Sequence, residues 1–200
     1  MREAGAMGRP CGFDEQEALA AIMAVFWAKG FEGTSMRDLV AATGLKKGSL
    51  YAAFGNRRAI YRLAIELYDR EWIGSLTDTL CGSRKPLERI ERFLQTAMDL
   101  RKGTKGCFLC NAAIDQASAD AAAKRVIKRS LARLESALLE TVAELSLDSP
   151  ERAARHLLSV YFGLRVLAKA GSDAAALQDA KESALKVLVA RQAKPNDLGK

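Results

Sequence analysis

Proline placement most limits what this chain can fold into. Four prolines interrupt its 200 residues, and Pro10, Pro86, Pro150 and Pro195 all stand where a helix would begin or end. Inside a helix, proline removes an amide donor and clashes with the preceding turn, so the stretches between them are free to be helical. Composition agrees: hydrophobic residues make up 49% of the chain and aromatics only 6%, whereas strands favour aromatic and β-branched side chains. The expected class is all-α, with about nine helices by apolar spacing.

Capping signals divide the chain further. Residues 1–12 read as a flexible basic arm. Asp14, with Glu17 three positions on, makes a capping-box pattern ahead of Leu19, Ile22, Met23, Phe26 and Trp27 at helical spacing, and Gly30 stops that helix. Ser35 caps a short helix, Thr43-Gly44-Leu45 turns the chain, and Lys47 to Phe54 forms a third helix with Leu50 and Phe54 inward. Asn56 caps a long helix from Arg57 to about Leu76. Pro86 opens the next; further helices are expected over 107–116, 120–145, 150–170 and 173–191. The reading gives an arm (1–12), a three-helix unit with a helix-turn-helix (13–58), a larger C-terminal helical domain (59–194) and a tail (195–200).

The net charge of +7 is unevenly spread. From Met1 to Arg58 there are eight Lys/Arg against six Asp/Glu. From Arg37 to Arg62, six basic residues (Arg37, Lys46, Lys47, Arg57, Arg58, Arg62) face Asp38 alone, an electrostatic footprint for phosphate. Lys46 and Lys47 start one helix, and Arg57 and Arg58 the next. Cations there oppose the helix dipole at about 0.3–1 kcal/mol each, so a function other than stability accounts for them. A phosphate at a helix N-terminus supplies it.

A helix-turn-helix needs a short helix, a glycine-containing turn and a second helix whose outer face enters the major groove. Gly44 provides the turn, Leu39, Leu45 and Leu50 clamp the pair, and Lys46, Lys47, Ser49, Ala52 and Ala53 form a small-residue outer face. Thr34 to Leu39, Gly44 to Tyr51 and Phe54-Gly55-Asn56-Arg57 resemble the DNA-binding signature of the TetR/AcrR family of bacterial repressors. Gly30 to Ser35 and Gly8-Arg9-Pro10 followed by Phe13-Asp14 also fit. The signature spans roughly residues 9–60. The resemblance implies that Arg37 contacts a base edge or phosphate. Lys46, Lys47, Gly48 and Ser49 would lie at the groove end of the recognition helix. Tyr51 would donate its hydroxyl to a phosphate, Arg57 would clamp one, and Arg9 would reach the minor groove. Val40 stands where a small alanine is usual. Arg58 stands where an acidic residue is common, which should raise nonspecific DNA affinity. The bland alternatives are a core aromatic for Tyr51 and a pairing of Arg37 with Asp38 or Glu32.

The resemblance further implies a ligand pocket in the middle helices and a homodimer through the last two. Those two carry apolar stripes: Leu157, Val160, Tyr161, Leu164, Leu167 and Ala168, then Leu177, Ala180, Ala184, Val187 and Leu188. Candidates to line the pocket are Phe93, Cys107, Phe108, Asn111, His156 and Tyr161. Cys107-Phe108-Leu109-Cys110 reads as two space-filling thiols, a redox pair or half a zinc site. One histidine and no second CxxC make too few zinc ligands, and no metal or cofactor is expected. Gly106-Cys107 resembles a pair opening this helix in a family branch with members that respond to oxidants or electrophiles. Lys102 and Lys105 would favour a Cys107 thiolate, with Cys110 one turn away to resolve it.

The expected function is a repressor binding double-stranded operator DNA and released by a small-molecule effector; the alternative is a thiol-sensing repressor. The chain lacks nucleotide-loop and metal-ligand motifs, so no enzyme activity is expected. A helical protein using its basic face for protein contacts is the remaining rival. No run reaches the roughly 18 apolar residues of a membrane span, and Met1 to Pro10 has no apolar signal core. With four cysteines read as reduced thiols, a cytoplasmic location is expected.

Overall fold

Helix starts fall where short polar side chains can satisfy the free amides of a first turn. In the computed structural model, which describes residues 13–99, 106–115 and 120–190, Asp14 accepts from the amides of Gln16 and Glu17 at 2.8 and 3.1 Å and opens α1 (Glu15–Lys29). Ser35 and Asp38 exchange bonds in a capping box at the head of α2 (Met36–Thr43). After α3 (Lys47–Phe54), Asn56 accepts from the amide of Ala59 at 3.0 Å and starts α4 (Arg57–Tyr68).

The long helix expected over 57–76 runs on to Cys81, but with a defect. A π turn at Asp69–Ile73 separates α4 from α5 (Gly74–Cys81). The Gly74 amide reaches back five residues to the Asp69 carbonyl, which also accepts from Arg133 Nη2 at 2.8 Å. The Asp69 carboxylate is buried against Arg133 Nη1 at 3.4 Å. An inserted residue of this kind redirects side chains and recurs at functional sites. Here it turns Trp72 toward a cavity described below.

Then follow α6 (Pro86–Ala97), α7 (Phe108–Ile114), α8 (Ala121–Ala143), α9 (Pro150–Lys169) and α10 (Ala174–Ala190). Pro86 and Pro150 sit in first turns. Every regular helix or turn of helix among the described residues fits the all-α expectation.

Two packed regions share the α4 rod. In the first, α1 packs on α4 and α2, and Ile22, Phe26, Leu39, Leu50, Ile60 and Tyr61 form an almost fully buried core. In the second, α8 and α9 pack together, with α5, α6 and α10 against them, around Leu80, Phe93, Leu134, Leu138, Leu157 and Leu164. Each large side chain so buried contributes about 1.5–3 kcal/mol. The short α7 bridges the regions, touching both α4 and α8.

Candidate DNA-binding face and interior thiol site

Gly44 adopts the left-handed conformation (φ 69°, ψ 1°), and its amide closes α2 on the Val40 carbonyl at 2.9 Å. A Cβ there would meet open space, so backbone geometry alone calls for glycine. Leu39 and Leu50 are fully buried between the two helices.

The α3 N-terminus departs from its neighbours. α1, α2 and α4 each receive a side-chain cap, whereas Lys46 precedes α3 with none. Among the described residues, the first-turn amides of α3 therefore lack helical or side-chain acceptors, and Lys46, Lys47, Gly48 and Ser49 around them are all exposed. An anion is the natural partner for that arrangement.

Arg37 is exposed and makes no ion pair among the described residues. Its two candidate partners are committed elsewhere: Asp38 to Lys29 Nζ at 2.6 Å, and Glu32 to Arg57 at 3.6 Å. The bond from Lys29 and those from Ser35 hold the Asp38 carboxyl well below the usual carboxylate range. Tyr51 is 42% exposed, with Lys47 Nζ 5.9 Å from its ring centroid, so it is no core aromatic. Arg58 is exposed as well.

Arg57 differs from the expectation of a phosphate clamp. Its guanidinium lies over the Phe31 ring at 4.2 Å and donates to the Thr34 carbonyl at 3.0 Å. The side chain braces the connection between α1 and α2, a role that local sequence did not reveal. Arg9, Lys102 and Lys105 lie outside the described residues, as do the 1–12 arm and the 195–200 tail.

The interior site centres on Cys107. It is buried at the head of α7, and Tyr68 donates its hydroxyl to Cys107 Sγ at 3.5 Å. Hydrogen bonds from Cys110 and Tyr68, aided by the Arg165 charge, outweigh burial and bring the Cys107 thiol down to about 6. The Cys110 thiol is raised, chiefly because it gives its hydrogen to Cys107. Burial raises Tyr68 and pushes Tyr161 up to about 12. These causes differ from the expected lysines. Cys81, exposed at the end of α5, is also a free thiol.

A cavity of about 310 Å³ lies beside this cluster, within the usual size range of ligand pockets. The π turn supplies Glu71 and Trp72, α5 gives Ser75 and Leu76, and α6 gives Thr96, with Asp99 just beyond it. Tyr161 and Arg165 of α9 close the wall toward Cys107. Of the six sequence candidates, only Tyr161 lines this cavity. Phe93 stacks behind Tyr161 with centroids 4.3 Å apart. Phe108 faces Trp27, Tyr61 and Tyr68 instead, and Asn111 accepts from Lys169 at 3.1 Å. His156 is exposed on α9, because it falls on the face opposite buried Leu157 and Tyr161. Sequence reasoning missed Trp72, Tyr68 and Arg165. Tyr68 and Trp72, four apart and stacked at 5.4 Å, left a spacing signal, whereas Arg165 left none.

The apolar stripes expected to form a dimer face divide in two. Leu157, Tyr161, Leu164, Ala168, Leu177, Ala184 and Leu188 are buried within the single chain, because α9 and α10 pack on each other and on α6. The apolar residues left outward are Leu167 and Val187 from the stripes, together with Val166 and Val189. Among the described residues, no three His, Cys, Asp or Glu side chains converge to hold a metal, and no helix is long and apolar enough to cross a membrane.

Residues 18–64 match the family of bacterial regulatory proteins called the tetR family. An uncharacterized HTH-type transcriptional regulator, YezE of Bacillus subtilis, is 28% identical over 193 residues, covering 91% of this chain and all of YezE. The HTH-type transcriptional repressor ComR of Escherichia coli is 46% identical over 61 residues, covering 30% of this chain and 29% of ComR. Among solved structures, a cysteine-substituted CifR, a TetR family transcriptional regulator complexed with a 26bp double-strand operator DNA, superposes with a TM-score of 0.78. It is 28% identical, with 90% of this chain and 98% of that chain covered. Residues 18–64 thus match the tetR family, and the whole fold is similar to that of TetR family transcriptional regulators.

Proposed function

We propose that this chain is a transcriptional repressor that binds double-stranded operator DNA as a homodimer and is released by a small-molecule effector. The carrying observation is the uncapped N-terminus of α3 ringed by exposed Lys46, Lys47, Gly48 and Ser49, with Arg37 and Tyr51 alongside. Amides and lysines there would grip phosphate and place α3 in the major groove, with Arg58 adding charge on the flank. Residues 13–58 form the DNA-binding unit in this reading, and 59–194 the effector and dimer domain. The cavity bounded by Trp72, Tyr161 and Arg165 is the effector site, and outward Val166, Leu167, Val187 and Val189 belong to the dimer face. Pairing two recognition helices on half-sites one DNA turn apart gives an affinity that one helix lacks. A regulator with this role works in the cytoplasm and needs no enzymatic activity. The test is fluorescence anisotropy with DNA from upstream of the protein's own gene. Binding that weakens in Arg37→Ala and Lys47→Ala supports the reading; binding unaffected by both contradicts it.

A second reading, thiol sensing, is favoured by the Tyr68 bond to a Cys107 thiol lowered to about 6. A thiolate is the nucleophilic form, and Cys110, hydrogen-bonded to Cys107, would resolve an oxidised Cys107. Operator release by diamide in the wild type but not in Cys107→Ser supports this reading; equal release in both contradicts it.

A further inference from the structure

The connection between α1 and α2 is held from two sides. From α4, Arg57 covers the Phe31 ring and donates to the Thr34 carbonyl. From the other region, Asp115 at the end of α7 accepts from the Phe31 amide at 2.5 Å, across 84 positions of sequence. Gly30 makes that approach possible: its φ is +70°, and a Cβ there would stand 2.9 Å from Asp115 Oδ2. The Tyr61 hydroxyl is raised, chiefly by burial and then by the charge of the nearby Asp115 carboxylate. Beyond Phe31, Thr34 is fully buried and donates to the Gly30 carbonyl at 2.7 Å. The next residue is Ser35, the cap of α2.

Two kinds of contact therefore cross from α7 to the DNA-binding unit. Phe108 makes ring contacts with Trp27 of α1 and with Tyr61 on the α4 rod that both regions share. Such apolar packing tolerates sliding, because burial is non-directional. The bond from the Phe31 amide to a carboxylate is charge-assisted and directional. It fixes the connection at one point, and α7 carries Cys107 just before its first turn and Asp115 just after its last.

We propose that Asp115 is a positioning residue that ties the placement of the DNA-binding unit to α7, so that a displacement of α7 is delivered through residues 30–34 to Ser35 and α2. This rests on the DNA-binding reading above. It does not depend on whether the displacing signal is a cavity ligand or a thiol reaction.

The experiment measures amide hydrogen exchange across residues 28–36, and anisotropy on the upstream operator, in full-length wild type, Asp115→Ala and Asp115→Asn. In Asp115→Ala, exchange at Phe31 accelerates about tenfold, as loss of one such bond implies. Exchange in α8 and α9 stays unchanged, and operator affinity falls by about fivefold or more, at the lower end of measured couplings. Asp115→Asn keeps an acceptor of the same shape and shows a smaller change in the same direction. Its result decides the matter if the alanine variant fails to fold. Wild-type exchange at Phe31 in both variants overturns the proposal, and so does faster exchange with unchanged operator affinity. If the wild type itself binds no duplex, the DNA-binding reading fails instead; exchange then shows separately whether Asp115 holds the connection.

Discussion

The face built from α2 and α3 and the interior around Cys107 handle polar groups in opposite ways. The face leaves them unsatisfied: α3 has no side-chain cap, and Arg37, Lys46, Lys47 and Arg58 stand in solvent. The interior satisfies most of them inside the protein, with Tyr68 bonded to Cys107 and Arg165 donating to the Gly106 carbonyl. An exposed charge costs the fold little and waits for a partner. A buried polar group must be paired, and its chemistry shifts with that pairing. The first region leaves its charges open to an outside partner, and the second pairs its polar groups with one another.

Substitutions should separate the two regions, with stability moved by one and DNA binding by the other. The largest stability effect is expected at Phe93, fully buried and stacked on Tyr161. Phe93→Ala should cost about 3–5 kcal/mol in chemical denaturation. A smaller loss, of about 0.5–2 kcal/mol, is expected from Ser35→Ala, which removes half of the α2 capping box.

The thiol pair should also make stability depend on pH. Cys107 ionises near 6 in the folded chain and near the ordinary thiol value of about 8.5 in the unfolded one. The unfolded state therefore holds more protons between those values, and stability rises with pH across that window. Above it the sign reverses, because the raised Cys110 keeps its proton when folded. Denaturation of Cys107→Ser should lose the rising limb. At the small end, Lys47→Ala should leave stability within about 0.5 kcal/mol of wild type; a larger change would mean that the exposed face also supports the fold.

The same contrast explains what the sequence disclosed. Asp14, Ser35, Gly44 and Asn56 act on the backbone within a few residues of themselves, so their roles and the helix boundaries were readable. The outer face of α3 was equally local. The cavity was not, since its wall is gathered from the π turn, α5, α6 and α9. His156 shows the cost of guessing such a wall from residue type. Arg57 and Asp115 were hidden for a related reason. Their partners at Phe31 to Thr34 lie 23 or more positions away, beyond the reach of any helical period. The π turn likewise depends on Arg133 of a distant helix.

The central claim is that α2 and α3 present a phosphate- and base-binding face. It is tested most directly by operator affinity as a function of salt concentration, for wild type and the double variant Arg37→Ala/Lys47→Ala. Each lost phosphate contact lowers the log–log salt slope by about one. The account predicts a shallower slope and at least about tenfold weaker operator binding, as loss of a base contact implies, with the melting curve unchanged. An unchanged slope and affinity in the folded double variant would contradict it.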